Sequence, residues 1–100
     1  MMRKSLRVHS QAQNEINKAF DWYFERSPQS AEAFLDEIGD SLKRIVAGPH
    51  RFPISTKNTR RLVLAKFPYT VFFQEKDATI LVVAVAHAKR RPGYWGGRVR

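Results

Sequence analysis

Residues 79–95 hold the most apolar run of this 100-residue chain and, directly behind it, the most basic and aromatic one. Seven apolar residues run from Ile80 to Ala86, far short of the ~20 that a membrane-spanning helix needs. β-branched Ile80, Val82, Val83 and Val85 favour a strand over a helix. An uninterrupted apolar strand is covered on both faces, so these residues predict a central place in a sheet. The strand opens without a linker into His87, Lys89, Arg90, Arg91, Tyr94 and Trp95. Charge and flat aromatic faces are thereby delivered to one fixed end of that sheet.

The rest of the chain supplies two helices and three further strands. Leu6 and Val8 alternate with Ser5 and Arg7, a short strand. Ser10 and Gln13 fit a capping box. Ala12, Ile16, Ala19, Phe20, Tyr23 and Phe24 then follow as one helical face, with Trp22 off the stripe. Ser27-Pro28 stops that helix and starts the next, serine as N-cap and proline in the first helical position. Phe34, Leu35, Ile38, Leu42, Ile45 and Val46 repeat at helical spacing until Gly48-Pro49. So short a junction predicts a helical hairpin. Residues 50–59 read as an exposed loop and 60–66 as a strand with basic ends. Phe67-Pro68 interrupts it, because proline cannot donate to a ladder. Residues 69–74 alternate as another strand, and Lys76-Asp77 predicts the turn into the apolar strand.

The order is therefore β-α-α-β-β-β. Helices grouped ahead of a meander predict an α+β fold, the helical hairpin packed on one face of a mainly antiparallel sheet. The first strand joins that sheet only after the helices have been crossed, and the residues leave its partner open. One hundred residues support one core, hence a single domain over residues 1–100, with residues 96–100 read as a flexible tail. The basic start of the chain carries no long apolar segment of the secretory kind. With no cysteine there is neither a disulfide framework nor thiol chemistry, which fits a reducing cytoplasm.

The formal net charge is +9, and its distribution is uneven. Residues 10–47 hold seven acids and four bases, whereas the remainder holds fourteen bases and two acids. A basic surface of this kind attracts nucleic acid, an acidic protein or anionic lipid, or simply keeps the chain soluble. His9, His50 and His87 lack metal-ligand spacing, and no phosphate-binding glycine loop or nucleophile elbow is present. No metal or cofactor is expected. The remaining chemistry lies in Arg60, Arg61, Lys66, Lys89, Arg90 and Arg91, with Tyr69, Tyr94 and Trp95 beside them. Arginines bind phosphate oxygens bidentately, and aromatics stack on unpaired bases. Cations alone can assist RNA cleavage, since the ribose 2′-hydroxyl is a built-in nucleophile. His87 is either a proton shuttle or a hydrogen-bonded residue at a strand end. Tyr94 and Trp95 either stack on bases or fold back over the core.

Phe67-Pro68-Tyr69, the hairpin, and then His87-x-x-Arg90-x-Pro92-x-x-Trp95 resemble the RelE/ParE superfamily of toxins from type II toxin–antitoxin systems, often called plasmid-stabilisation proteins. The resemblance covers nearly the whole chain and includes the Ser27-Pro28 junction and Arg61 at the start of the second strand. It implies a small cytoplasmic bacterial protein that arrests growth when unopposed. It implies neutralisation by a cognate antitoxin whose acidic segment wraps the toxin, promoter DNA bound only through that antitoxin, and no membrane partner.

The superfamily has two activities: RelE-like members cleave mRNA on the ribosome, and ParE-like members inhibit DNA gyrase and are not nucleases. The nuclease branch carries two basic residues two apart on the second strand, of which Arg61 matches the first and Val63 replaces the second. It also carries an arginine where Thr70 stands, and its terminal tyrosine falls at Trp95, with Tyr94 adjacent. The resemblance thus implies gyrase inhibition, with Arg60, Arg61, Lys66, Tyr69, His87, Arg90, Arg91 and Trp95 meeting target or antitoxin. The alternatives are an endoribonuclease using Arg61, Lys89, Arg90, Arg91 and Tyr94, or a degenerate toxin that only binds antitoxin.

Overall fold

The computed structural model describes residues 4–100; Met1, Met2 and Arg3, the very start of the basic N-terminus, lie outside them. Four strands, β1 (Ser5–Val8), β2 (Arg60–Val63), β3 (Tyr69–Lys76) and β4 (Thr79–His87), form one sheet in the order β1-β4-β3-β2. Helices α1 (Ser10–Arg26) and α2 (Pro28–Ala47) follow β1 and cover one face. The expected α+β order holds, and the apolar strand β4 is internal. The first strand pairs in parallel with β4, Leu6 opposite Ile80 and Val8 opposite Val82. The other pairings are antiparallel.

Between the helices and the sheet, Ala12, Ile16, Ala19, Phe34, Ile38 and Ile45 meet Leu62, Val71, Phe73, Ile80, Val82 and Val85. The periodic stripe of α1 overshoots this core. Phe24 is 51% exposed and Leu35 on α2 is 43% exposed; each lies at the flank of its stripe, one residue on from a side chain that does pack inward, Tyr23 and Phe34. Trp22 is exposed and carries the Arg26 guanidinium on its ring at 3.7 Å.

A β-bulge decides what faces the helices. Phe73 pairs with Val82, but Phe72 pairs with Ala84, so Val83 is the extra residue. Inserting one residue reverses the side-chain alternation beyond it. Even-numbered Ile80 and Val82 face the helices before the bulge, and odd-numbered Val85 does so after it. Val83 and Ala84 form a second cluster on the other face with Trp95, flanked by Phe72 and Leu81.

Helix starts and strand ends depart from the sequence reading by a residue or more. The α1 N-cap is His9, not Ser10: its ring accepts from the Gln11 amide at 3.1 Å, and Gln13 donates instead to Asn17. His9 is still tied to the sheet through its amide and Val82 O, so the helix begins directly behind it. Ser27 does cap α2, accepting from the Ser30 amide at 3.2 Å with Pro28 in the first helical position. Ser27→Ala is expected to lower stability by ~1 kcal/mol in urea denaturation, with Ser27→Asp retaining most of it.

Strand β2 ends at Val63 rather than residue 66. The Ala65 and Lys66 amides turn away to the Glu37 carboxylate on α2, and the Leu64 amide closes on Tyr69 O. The turn into β4 is Asp77-Ala78, since Lys76 pairs with Thr79 and Asp77 takes φ +57°. Residues 50–59 are not wholly exposed. After the 3-10 turn Pro49–Arg51, Phe52 packs against the core, and Thr59 is buried with its hydroxyl on Thr56 O.

The C-terminal segment, read as a flexible tail, is docked on the sheet. Gly96–Arg98 form a 3-10 turn. Gln74, buried in β3, accepts from the Arg100 amide at 2.7 Å and donates back to its carbonyl oxygen at 3.1 Å. An apolar strand covered on both faces requires a second cover, and this segment supplies it.

Candidate functional site

Strand β1 has four residues and β4 has nine, so the far half of β4 has no neighbour on that side. Glu15 and Arg98 take over. The Val85 amide donates to Glu15 Oε1 at 3.0 Å, and Arg98 donates to Val83 O at 3.1 Å. Arg98 also grips both Glu15 oxygens, at 3.0 and 3.2 Å, and the Tyr94 hydroxyl donates to the same carboxylate. Glu15 thus holds the strand, the C-terminal segment and α1 together. Sequence reasoning counted it only as one helical acid among seven. Its signal is faint, because a single acid on a helix face marks no site until a strand edge lies opposite.

Beside this junction a cleft of about 590 Å³ opens between α1 and the end of β4, with Ala19, Trp22, Tyr23, Pro68, Tyr69 and Val85 among its walls. Lys18, His87, Lys89 and Arg90 also line it. The bulge in β4 brings His87 to this side, opposite Tyr69 in register and edge-on to its ring at 5.0 Å. His87 Nδ1 accepts from the Lys89 amide at 3.0 Å, and its carbonyl accepts from the Arg90 amide. The imidazole therefore shapes the turn that presents the basic residues. That turn closes at Gly93, whose φ of +75° is the left-handed conformation that glycine adopts freely.

The other site residues expected from sequence are dispersed. Lys89, Arg90 and Arg91 are exposed together after β4. The Arg90 guanidinium stacks on the Tyr94 ring at 3.9 Å. Arg60 donates to Phe52 O at 2.7 Å. Arg61 is exposed on β2 opposite Phe72, and Lys66 is exposed on the loop held by Glu37. Trp95 is 1% exposed and stacked on Phe72 at 4.6 Å. Of the two readings of Trp95, partner contact or cover of the core, the structure has the second, because the face of the sheet away from the helices has little else large enough to cover it.

Burial raises the pKa of Tyr94 far above its ordinary value of 10.0, helped by its hydrogen bond to Glu15 and by that carboxylate's charge, against the lowering effect of Arg90 and Arg98. A hydroxyl that holds its proton so firmly is poorly suited to act as a base. Burial also raises Tyr69, with smaller contributions from Tyr23 and Glu15, and burial raises Tyr23. Below about pH 10 both folded and unfolded chains keep these protons. Above it the unfolded chain releases protons that the native chain retains, so stability falls as pH rises. Denaturation followed from pH 8 to 11.5 is expected to show that fall beginning near pH 10, with a shallower slope in Tyr94→Phe.

Among the described residues no three His, Asp or Glu side chains gather as a metal site, and no helix is long and apolar enough to cross a membrane. Residues 6–92 match the family described as the ParE toxin of the type II toxin–antitoxin system parDE. Toxin ParE2 of two Mycobacterium tuberculosis strains, CDC 1551 / Oshkosh and ATCC 25618 / H37Rv, is 29% identical over 92 residues, 91% of this chain and 88% of the relative. A solved chain described as the chromosomal ParDE system from P. aeruginosa shares the fold, with TM-score 0.75 and 19% identity over 85% of this chain and 96% of that one. The strand order, the paired helices and a match across most of the sequence place the chain in the ParE toxin family of type II toxin–antitoxin systems.

Proposed function

We propose that this toxin arrests bacterial growth in the cytoplasm by inhibiting DNA gyrase, and that an acidic segment of its cognate antitoxin neutralises it. One observation carries the choice of a protein target over ribosomal mRNA cleavage. Val63 and Thr70, where the nuclease branch has cations, are cross-strand partners in β2 and β3. Opposed side chains in an antiparallel pair share one face. Both missing charges therefore fall at one spot, where an uncharged valine stands 64% exposed. Removing a well-placed donor from a charge-stabilising site costs ~2.7–4 kcal/mol of transition-state stabilisation, and here two are gone together. Tyr94 adds to this, since its hydroxyl is bound to Glu15.

The apolar cleft beside α1, with Lys18, Lys89 and Arg90 among its lining, suits an acidic segment that carries an apolar anchor. Purified toxin should block supercoiling by gyrase, and added antitoxin should restore it. Toeprinting of ribosome-bound mRNA should show no cleavage. If cleavage appears instead, and Arg90→Ala with Arg91→Ala abolishes it in folded protein, the endoribonuclease reading replaces this one.

A further inference from the structure

A second, smaller cavity of about 180 Å³ lies at the opposite end of β4 from His87, where Arg7, Gln74, Lys76, Thr79 and Arg100 converge. Thr79 and His87 are eight residues apart on one strand, ~26 Å at the usual rise. The cavity is thus remote from the cleft beside α1. Register places it on the face away from the helices. Arg7 and Gln74 both lie opposite Leu81, and Lys76 lies opposite Thr79, so the three outward strands share one rim. The paired hydrogen bonds from buried Gln74 fix the Arg100 backbone there.

Arg7, Lys76 and Arg100 are exposed, and none of their side chains makes an ion pair among the described residues. The negative groups facing them are Asp77 on the rim and, where the chain ends at Arg100, its carboxylate. The same outward face carries exposed Arg61, opposite Phe72 and two residues along β3 from Gln74. The acids of α1 and α2 belong to the layer on the opposite side of the sheet.

We propose that this outward face binds the phosphodiester backbone of nucleic acid, with Arg7, Lys76 and Arg100 gripping one phosphate in the cavity and Arg61, on the opposite edge of the sheet, a phosphate further along. The cavity is smaller than the ~300–1,000 Å³ of sites that enclose a whole small-molecule ligand, so it takes a single phosphate group. Arginine and lysine supply the donors that such oxygens accept. Unpaired cations spread along a sheet face match a repeating polyanion better than an isolated anion. The toxin would then contact nucleic acid by itself, at a surface separate from the cleft suited to an acidic segment.

The test is titration of a fluorescent 20-base-pair DNA duplex, and separately of single-stranded RNA, with full-length toxin over a range of salt. Each phosphate contact removed lowers the log–log salt slope by about one. Arg7→Gln with Lys76→Gln, which leaves that one phosphate with Arg100 alone, should therefore lower it by about one, with at least one of the two nucleic acids. Lys43→Gln with Arg51→Gln, an equal loss of charge elsewhere, should leave it nearly unchanged. Unfolding midpoints confirm that each variant is folded, and Arg100→Gln alone gives a second reading free of strand β1. Equal effects of the two double variants, no binding of either nucleic acid, or displacement by polyglutamate as effective as by unlabelled nucleic acid would overturn the proposal.

Discussion

Trp95→Ala is expected to destabilise the protein by ~3–5 kcal/mol, the largest effect of any single substitution discussed. Trp95 is 1% exposed, and its indole stacks on Phe72 and packs with Val83 and Ala84. The small residues beneath it cannot rise to fill the space, because β4 is held there by β3 on one side and by Glu15 and Arg98 on the other. The cavity term therefore adds in full to the lost transfer free energy. Domains of this size are stable by only about 5–15 kcal/mol, so the variant should lie near the edge of folding at growth temperature. Urea denaturation followed by far-UV circular dichroism measures it. Trp95→Phe should recover a good part of the loss, because a smaller ring still lies on Phe72. A cost below ~1 kcal/mol for the alanine variant would mean that the C-terminal segment does not cover the sheet in solution.

The second large effect belongs to Glu15. Its side chain is 14% exposed and serves the Val85 amide, the Tyr94 hydroxyl and the Arg98 guanidinium at once. Glu15→Ala leaves a strand amide without an acceptor and a mostly buried guanidinium without a counter-charge. Removing one partner of a buried pair costs ~3–5 kcal/mol; the partial exposure here argues for about 2–3 kcal/mol. Arg98→Met in the same chain should cost less than the sum of the two single changes, since it removes the orphaned charge. A double-mutant cycle in urea gives that coupling directly. Additive costs would show that Glu15 acts through the strand amide and the Tyr94 hydroxyl rather than through Arg98.

Local patterns in the chain already specified much of this molecule. The apolar run at 80–86 dictated an internal strand, since seven such residues are stable only when covered on both faces. Ser27-Pro28 dictated the break between helices, because a serine oxygen and a proline ring each suit a helix start. Register, bulge and long-range partners carry no such local signal. Glu15 reads as a solvated helical acid until β1 stops at Val8 and β4 runs on to His87, which exposes amides that no sequence spacing announces. Val63 and Thr70 are seven residues apart in sequence, and only the antiparallel register brings their missing charges to one spot. Trp95 illustrates the same division. Its place in His87-x-x-Arg90-x-Pro92-x-x-Trp95 marked the family from sequence, but the reason for it is tertiary: an apolar strand with helices on one side needs a large apolar side chain to close the other.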